Sequence, residues 1–352
     1  MAGLLLLPSR HVTEELMRAA LETVVSGGTL GTAAARAVMD AVMEGAATPA
    51  QIGGFLAALR TRGETLDELT GMVMSMRDHA TRVTLRPGAV DTCGTGGDGS
   101  NTFNISSAAA LVAAGAGCRV AKHGGRASSS RCGSADVFEE LGVRVALDSE
   151  GVRRCVDEAG IGFLYAPAFH PAMRHAASVR RELGIRTVFN ILGPLANPAG
   201  VRHQALGVAG SVPAGVMAGV LHRLGHDHAL VFCGPGGMDE LGLDGVAEAL
   251  EVTAAGVREL EIDPQALGFR PAPREAVAGG DAADNATTIL AVLDGAVGPP
   301  RDVVLLNAAA ALVAADAAAD LVEGVERSRQ AIDSGAAREA LRRLVAVSGG
   351  NG

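Results

Sequence analysis

Apolar positions near the start of the chain recur at helical spacing. Leu16, Ala20 and Val24 fall on one face, and Thr13 stands where a cap is wanted. The same period predicts helices over 29–43, 49–60 and 65–80, and few strand signals interrupt them. From residue 85 the pattern changes to short apolar runs alternating with amphipathic stretches. It predicts strands over 90–92, 119–121, 143–147, 162–165, 205–209 and 228–233. Helices are expected between them over 105–116, 134–141 (with Ser134 as cap), 149–159 and 214–224. Strand, helix, strand in this rhythm implies parallel strands with helices on both faces. Residues 171–198 break it with a helix and a Gly/Pro-rich return, and after Asp281 the chain is mainly helical and rich in alanine. The expected fold class is therefore α/β: a small all-helical domain plus a large α/β domain with a mainly parallel central sheet. Residues 1–84 and 171–198 are assigned to the first, 85–170 and 199–352 to the second.

Composition narrows the class. Of 352 residues, 48% are apolar and 20% charged, which is globular and not disordered. The formal net charge is −9 with no block of Lys or Arg, so neither nucleic acid nor an anionic membrane is an expected partner. The four leucines near the N-terminus are too short for a secretory segment, and the longer apolar runs fall short of a membrane span. Five cysteines, an odd number without CxxC spacing, read as reduced thiols of a cytoplasmic protein. Glycine is abundant at 47 residues without a G-X-Y period, which points to glycine-built loops.

Three such loops carry chemistry. Gly94-Thr95-Gly96-Gly97-Asp98-Gly99 follows a predicted strand and satisfies G-x-G-x-x-G. A dinucleotide site would need an acidic residue at the end of the next strand; Arg119 and Lys122 stand there instead, and the helix begins only after Asn104. Glycine-rich turns expose N–H groups that bind anions. Asn104, Ser106 and Ser107 sit at a helix N-terminus, where negative charge is also favoured. A second loop, Lys122 to Asp136, gathers one ammonium, two guanidiniums and four hydroxyls at the end of another strand. Lys122 is the only lysine among 30 Lys and Arg residues, which suggests that a compact ammonium is needed there. Two anion loops suggest a substrate with more than one phosphate. In the third loop, Asp239-Glu240 offers adjacent carboxylates suited to Mg²⁺. A helix from His170 presents basic groups, and Arg180 is placed to bind a carboxylate bidentately or to form a surface salt bridge.

Taken in order, DTCGTGGDGSNTFNISS, KHGGRASSSRCGSADVFEELG, HPAMRHAASVRRELGIRTVFNILGPLANP and GMDEL resemble the anthranilate phosphoribosyltransferase family of tryptophan biosynthesis, over essentially the whole chain. The resemblance implies transfer of a 5-phosphoribosyl group from phosphoribosyl pyrophosphate to the amine of anthranilate. It implies that Gly94, Gly97, Asp98, Thr102, Asn104, Ile105, Ser106 and Ser107 bind phosphoribosyl pyrophosphate. Lys122, His123, Gly124, Gly125, Arg126, Ala127, Ser128, Ser129, Ser130 and Ser134 match a second phosphate loop. Ser106, Asp239 and Glu240 match magnesium positions, with two ions expected. Arg180 matches the carboxylate site for anthranilate, His170 at the start of the same helix is expected to bind and orient substrate, and Arg180 and Lys122 are the expected catalytic residues. A homodimer joined through the helical domain is implied as well.

Two departures bear on the acceptor. Gly125 replaces an asparagine usual in the family, and Gly242 to Val246 replaces a longer Ser/Thr-rich run. A family member with another aromatic acceptor is one alternative. A nucleoside phosphorylase of the same fold is a second, opposed by the acidic pair; a nucleic-acid-binding relative is a third, opposed by the net charge.

Overall fold

The computed structural model describes residues 10–127 and 131–350. The chain forms two compact units, one built up to Ala80 with His170–Ala196, the other from Thr81–Phe169 with Asn197 onward. Residues 81–84 and 197–198 belong to the second unit. There the Thr81 N–H donates to the Phe169 carbonyl (2.8 Å) and the Val83 N–H to that of Pro198 (3.2 Å).

The first unit is all helical: Arg10–Val25, Thr32–Met43, Pro49–Arg62, Leu66–Asp78 and, after the chain returns, Arg174–Leu183. Two starts are sealed by capping boxes, Thr48 with Gln51 and Thr65 with Glu68, each satisfying two otherwise orphaned N–H groups. Thr13 is not a cap, because the first helix already runs from Arg10 and Thr13 is buried inside it. The turn Pro171–Met173 is a 3₁₀ segment that precedes the last helix, with His170 at its entry.

The second unit holds a seven-stranded sheet. Its strands are β1 (Ala89–Gly94), β2 (Arg119–Gly124), β3 (Ile161–Tyr165), β4 (His203–Gly207), β5 (His228–Cys233), β6 (Ala247–Thr253) and β7 (Gly256–Ile262). Their order is β3-β2-β1-β4-β5-β6-β7. The first five are parallel and the last two join as an antiparallel hairpin. β1 is the middle of the five parallel strands, and the order reverses beside it, between β1 and β4. Ligands of open α/β sheets bind at the carboxyl ends of strands at such a point. Helices Ile105–Gly115 and Pro299–Ala314 pack together within the core, their alanines letting the backbones approach.

Three expectations are corrected here. Residues 143–147 are not a strand: Val143 and Val145 are buried in alternation, but the Val143 N–H bonds back to Phe138 (2.9 Å) and the Arg144 N–H to the Ser348 hydroxyl (3.2 Å), so no sheet edge takes them. Ser134 is the first helical residue and not the cap. Gly133 caps the helix, and its N–H donates to Asp136. The β6–β7 hairpin was not expected, because its Glu-rich, half-exposed strands lack the apolar run of their neighbours. No helix among the described residues is long and apolar enough to cross a membrane.

Candidate active site

The carboxyl ends of β1, β2 and β5 carry the three loops singled out above. Around the first, the backbone folds onto the acidic pair. The Gly96 N–H donates to Asp239 Oδ2 (2.6 Å), the Ser106 N–H to Glu240 Oε1 (3.0 Å), and the Asp239 N–H to Asp98 Oδ2 (3.1 Å). Gly96 and Gly97 take φ of 66° and 71°, the left-handed region that glycine enters without strain. Asp239 is gripped between Gly94 and Gly207; a Cβ on either would run into it. Glycines at these positions are thus set by the carboxylate as much as by the turn.

The acidic residues keep a partial opening to solvent, yet packing desolvates their carboxylates. Burial, then the neighbouring charge of Asp98, pushes Asp239 up to about 7; burial, then Asp239, pushes Glu240 up to about 8. Burial also acts on Asp98, but N–H donors from Ser100 and Asp239 outweigh it and hold that carboxyl below its ordinary value. Negative charge is thus crowded and short of partners, and its donors are hard oxygens. These residues fit Mg²⁺, which binds one or two carboxylates and completes its shell with water and phosphate oxygens. Among the described residues no group of three or more His, Cys, Asp or Glu closes a full protein cage, so substrate and water would have to supply the remaining ligands.

Lys122 lies beneath the loop. It is only 2% exposed, and its Nζ donates to the Thr92 carbonyl (2.5 Å) and to Ser106 Oγ (3.2 Å). It ties β2 to β1 and to the start of helix Ile105–Gly115, and its charge faces Asp91, Glu240 and Asp239. Sequence reasoning missed Asp91. This carboxylate is fully buried and pushed up to about 6 by that burial. It accepts from the His123 N–H (3.1 Å) and Asn197 Nδ2 (2.8 Å), and Asn197 Nδ2 also donates to the Ala121 carbonyl (2.9 Å). β1 and β2 pair only at Ala89 and Val90, so Asp91 and Asn197 take over where the ladder stops. A lone acid inside an apolar strand run was the available signal.

The remaining residues of the first loop divide by exposure. Asn104 caps the helix, with its side chain turned to Asn285 and Cys132. Thr102 is half-buried and bridges to Ala278. Ile105 and Ser107 are buried in the core, so only Ser106 of that turn presents its side chain at the acidic pair.

In the second loop, Asp136 accepts from the N–H groups of both Ala127 (3.0 Å) and Gly133 (2.9 Å), closing the loop at its base. Arg126 is engaged on the surface with Asp136 (2.8 Å) and Glu139 (2.6 Å). The Gly125 carbonyl accepts from the Ala135 N–H (3.0 Å) and the Ser134 hydroxyl (3.4 Å), and Gly124 lies against Ser134. Ser128, Ser129 and Ser130 lie outside the described residues.

His170 and Arg180 belong to the helical unit. His170 is 6% exposed, and burial lowers its imidazole to about 4, so it is neutral near pH 7. The Arg180 guanidinium lies over the Phe189 ring at 5.2 Å, and burial alone depresses it. No described carboxylate pairs with it, which is the state of a guanidinium open to an incoming anion and not of a surface salt bridge.

Comparison with known proteins agrees with this layout. The profile "Glycosyl transferase family, a/b domain" matches residues 86–338, and "Glycosyl transferase family, helical bundle domain" matches 18–80. The chain is 56% identical over 336 residues to an anthranilate phosphoribosyltransferase of Chloroflexus aggregans, covering 95% of this chain and 99% of that one. A crystal structure of the Thermus thermophilus anthranilate phosphoribosyltransferase is similar at TM-score 0.88 and 44% identity, covering 94% of this chain and 99% of that chain. The Saccharomyces cerevisiae anthranilate phosphoribosyltransferase, solved with PRPP and Mg, is similar at TM-score 0.88 and 26% identity, covering 96% and 99%. On matches of this extent over both units, the chain belongs to the anthranilate phosphoribosyltransferase family.

Proposed function

We propose that this protein transfers the 5-phosphoribosyl group from phosphoribosyl pyrophosphate to the amine of anthranilate, giving N-(5-phosphoribosyl)anthranilate and pyrophosphate in tryptophan biosynthesis. One observation carries the assignment of the site: the glycine loop, Ser106, buried Lys122 and the Asp239-Glu240 pair converge at the carboxyl edge of the sheet.

In the reaction the C1–O bond to pyrophosphate breaks as the C1–N bond forms, and the amine sheds a proton. Negative charge grows on the departing pyrophosphate. The positive end of helix Ile105–Gly115 favours that charge, while the Gly96 and Ser106 N–H groups hold the acidic pair in place. Asp239, Glu240 and Ser106 would hold Mg²⁺, which when bound would neutralise the phosphates; two ions are proposed, with substrate and water completing their shells. Lys122 acts from below, keeping Ser106 and β1 in place. Anthranilate is already a neutral nucleophile, so no strong base is required. Arg180 takes its carboxylate, and neutral His170 serves orientation and not proton removal.

The protein acts as a cytoplasmic homodimer joined through its helical unit. Five free cysteines suit a reducing compartment.

The double substitution Asp239→Asn with Glu240→Gln tests the site. Loss of about 10²–10³-fold in kcat is expected, the scale of removing electrostatic transition-state stabilisation. The melting temperature should hold or rise, because two carboxyls that ionise only at a desolvation cost are replaced by neutral amides of the same shape. Unchanged magnesium-dependent turnover would take the pair out of the mechanism.

A further inference from the structure

Asn285 is 2% exposed in the first turns of helix Ala282–Leu293, and no part of the chemistry above uses it. Its amide sits in a directed relay. The Gly280 N–H donates to Asn285 Oδ1 (2.8 Å), Asn285 Nδ2 donates to Asn104 Oδ1 (2.9 Å), and Asn104 Nδ2 donates to the Cys132 carbonyl (3.3 Å). A backbone donor at one end and a backbone acceptor at the other leave only one orientation for both amides. The segment before the helix is stitched to the same loop: the Phe103 N–H donates to Val277 (3.1 Å) and the Gly279 N–H to Asn101 (2.8 Å). Asn285 is therefore delivered to Asn104 by backbone already fixed in place.

We propose that Asn285 is a positioning residue for the transferase reaction, orienting the Asn104 amide and through it tying the glycine loop to the Cys132 end of the second loop. The proposal rests on the phosphate-site reading of those two loops. With one bond to each neighbour made, the Asn104 amide keeps one N–H and one lone pair for a ligand, and their direction is set by Asn285. The effect belongs to binding of phosphoribosyl pyrophosphate and not to the acceptor.

Asn285→Asp is the sharpest variant. Its carboxylate still accepts from the Gly280 N–H but cannot donate to Asn104. Asn285→Ala is the neutral companion. Both should raise KM for phosphoribosyl pyrophosphate about fivefold to tenfold, the size of one lost hydrogen bond. KM for anthranilate should stay within about twofold, and melting curves should show both variants folded. Asn104→Ala should raise the same KM, and adding Asn285→Asp to it should change that KM less than about twofold, because coupled residues do not add. If the Asn285 variants leave KM unchanged, if only the charged one moves it, or if the effects add in full, the relay is wrong while the phosphate site stands. If Asn104→Ala itself leaves KM unchanged, the phosphate-site reading of that loop fails and the proposal falls with it.

Discussion

At Gly125 a side chain has room: a Cβ there meets only the Ala166 Cβ, at 4.0 Å, and the backbone is not in the left-handed region. Gly125→Asn should therefore fold normally and restore the amide that the family resemblance places toward the proposed acceptor. One such bond is worth roughly 0.5–1.5 kcal/mol, a twofold to tenfold fall in KM for anthranilate, with KM for phosphoribosyl pyrophosphate nearly unchanged. Paired saturation curves decide it. A rise in KM for anthranilate, with another aminobenzoate preferred by the parent, would mean a pocket shaped for a different acceptor. Residues such as Asp239, Glu240 and Lys122 were legible in the sequence because phosphate and metal chemistry demand unusual local composition. Asp91 and Asn285 were not. Each acts on a backbone or side chain distant in sequence, as Asn285 does on Asn104, and a single buried polar residue has no spacing signature. Lys122 was legible in identity but not in placement: it braces Thr92 and Ser106 from below, at 2% exposure.

Elements were legible where the period was strong. The helices over 49–62, 105–115, 149–159 and 214–223 and the strand over 228–233 lie within a residue or two of expectation. The pattern misled at Val143–Leu147, where alternating burial is produced by packing without a ladder, and it was silent at the β6–β7 hairpin, whose strands are partly solvated. One element yields a pH test. His170 opens the turn before helix Arg174–Leu183, and burial holds its imidazole at about 4 against an ordinary 6.5. Below pH 6.5 the unfolded chain takes up a proton that the folded chain refuses, so this site costs stability as pH falls from about 6.5 to about 4, and adds no further loss below that. The full difference is about 3 kcal/mol at 1.36 kcal/mol per unit. Asp91, pushed up to about 6, works in the opposite sense: its contribution is present at low pH and lost as pH rises through 6. Comparing denaturant curves of the parent and His170→Asn at pH 7, 6, 5 and 4 isolates the imidazole. The gap between them should shift in favour of the variant as pH falls; a constant gap would remove His170 as the source.

For the molecule as a whole, a helical unit and an α/β unit with a mainly parallel sheet were legible from the switch of hydrophobic period near residue 85. The break of the strand–helix rhythm at 171–198 was the signal for a return to the helical unit, and the first compact unit comprises the chain up to Ala80 together with His170–Ala196. That return carries Arg180. The account then makes one demand of the intact protein: phosphoribosyl pyrophosphate, Mg²⁺ and anthranilate must all be consumed or required together. The direct measurement is to mix the purified chain with all three, follow anthranilate and pyrophosphate with time, identify the product by mass, and repeat with each component left out. The account predicts one pyrophosphate released per anthranilate consumed, a product of the mass of N-(5-phosphoribosyl)anthranilate, and no reaction in any of the omissions. Anthranilate left intact while another aromatic amine is ribosylated, or turnover that persists without magnesium, would contradict it.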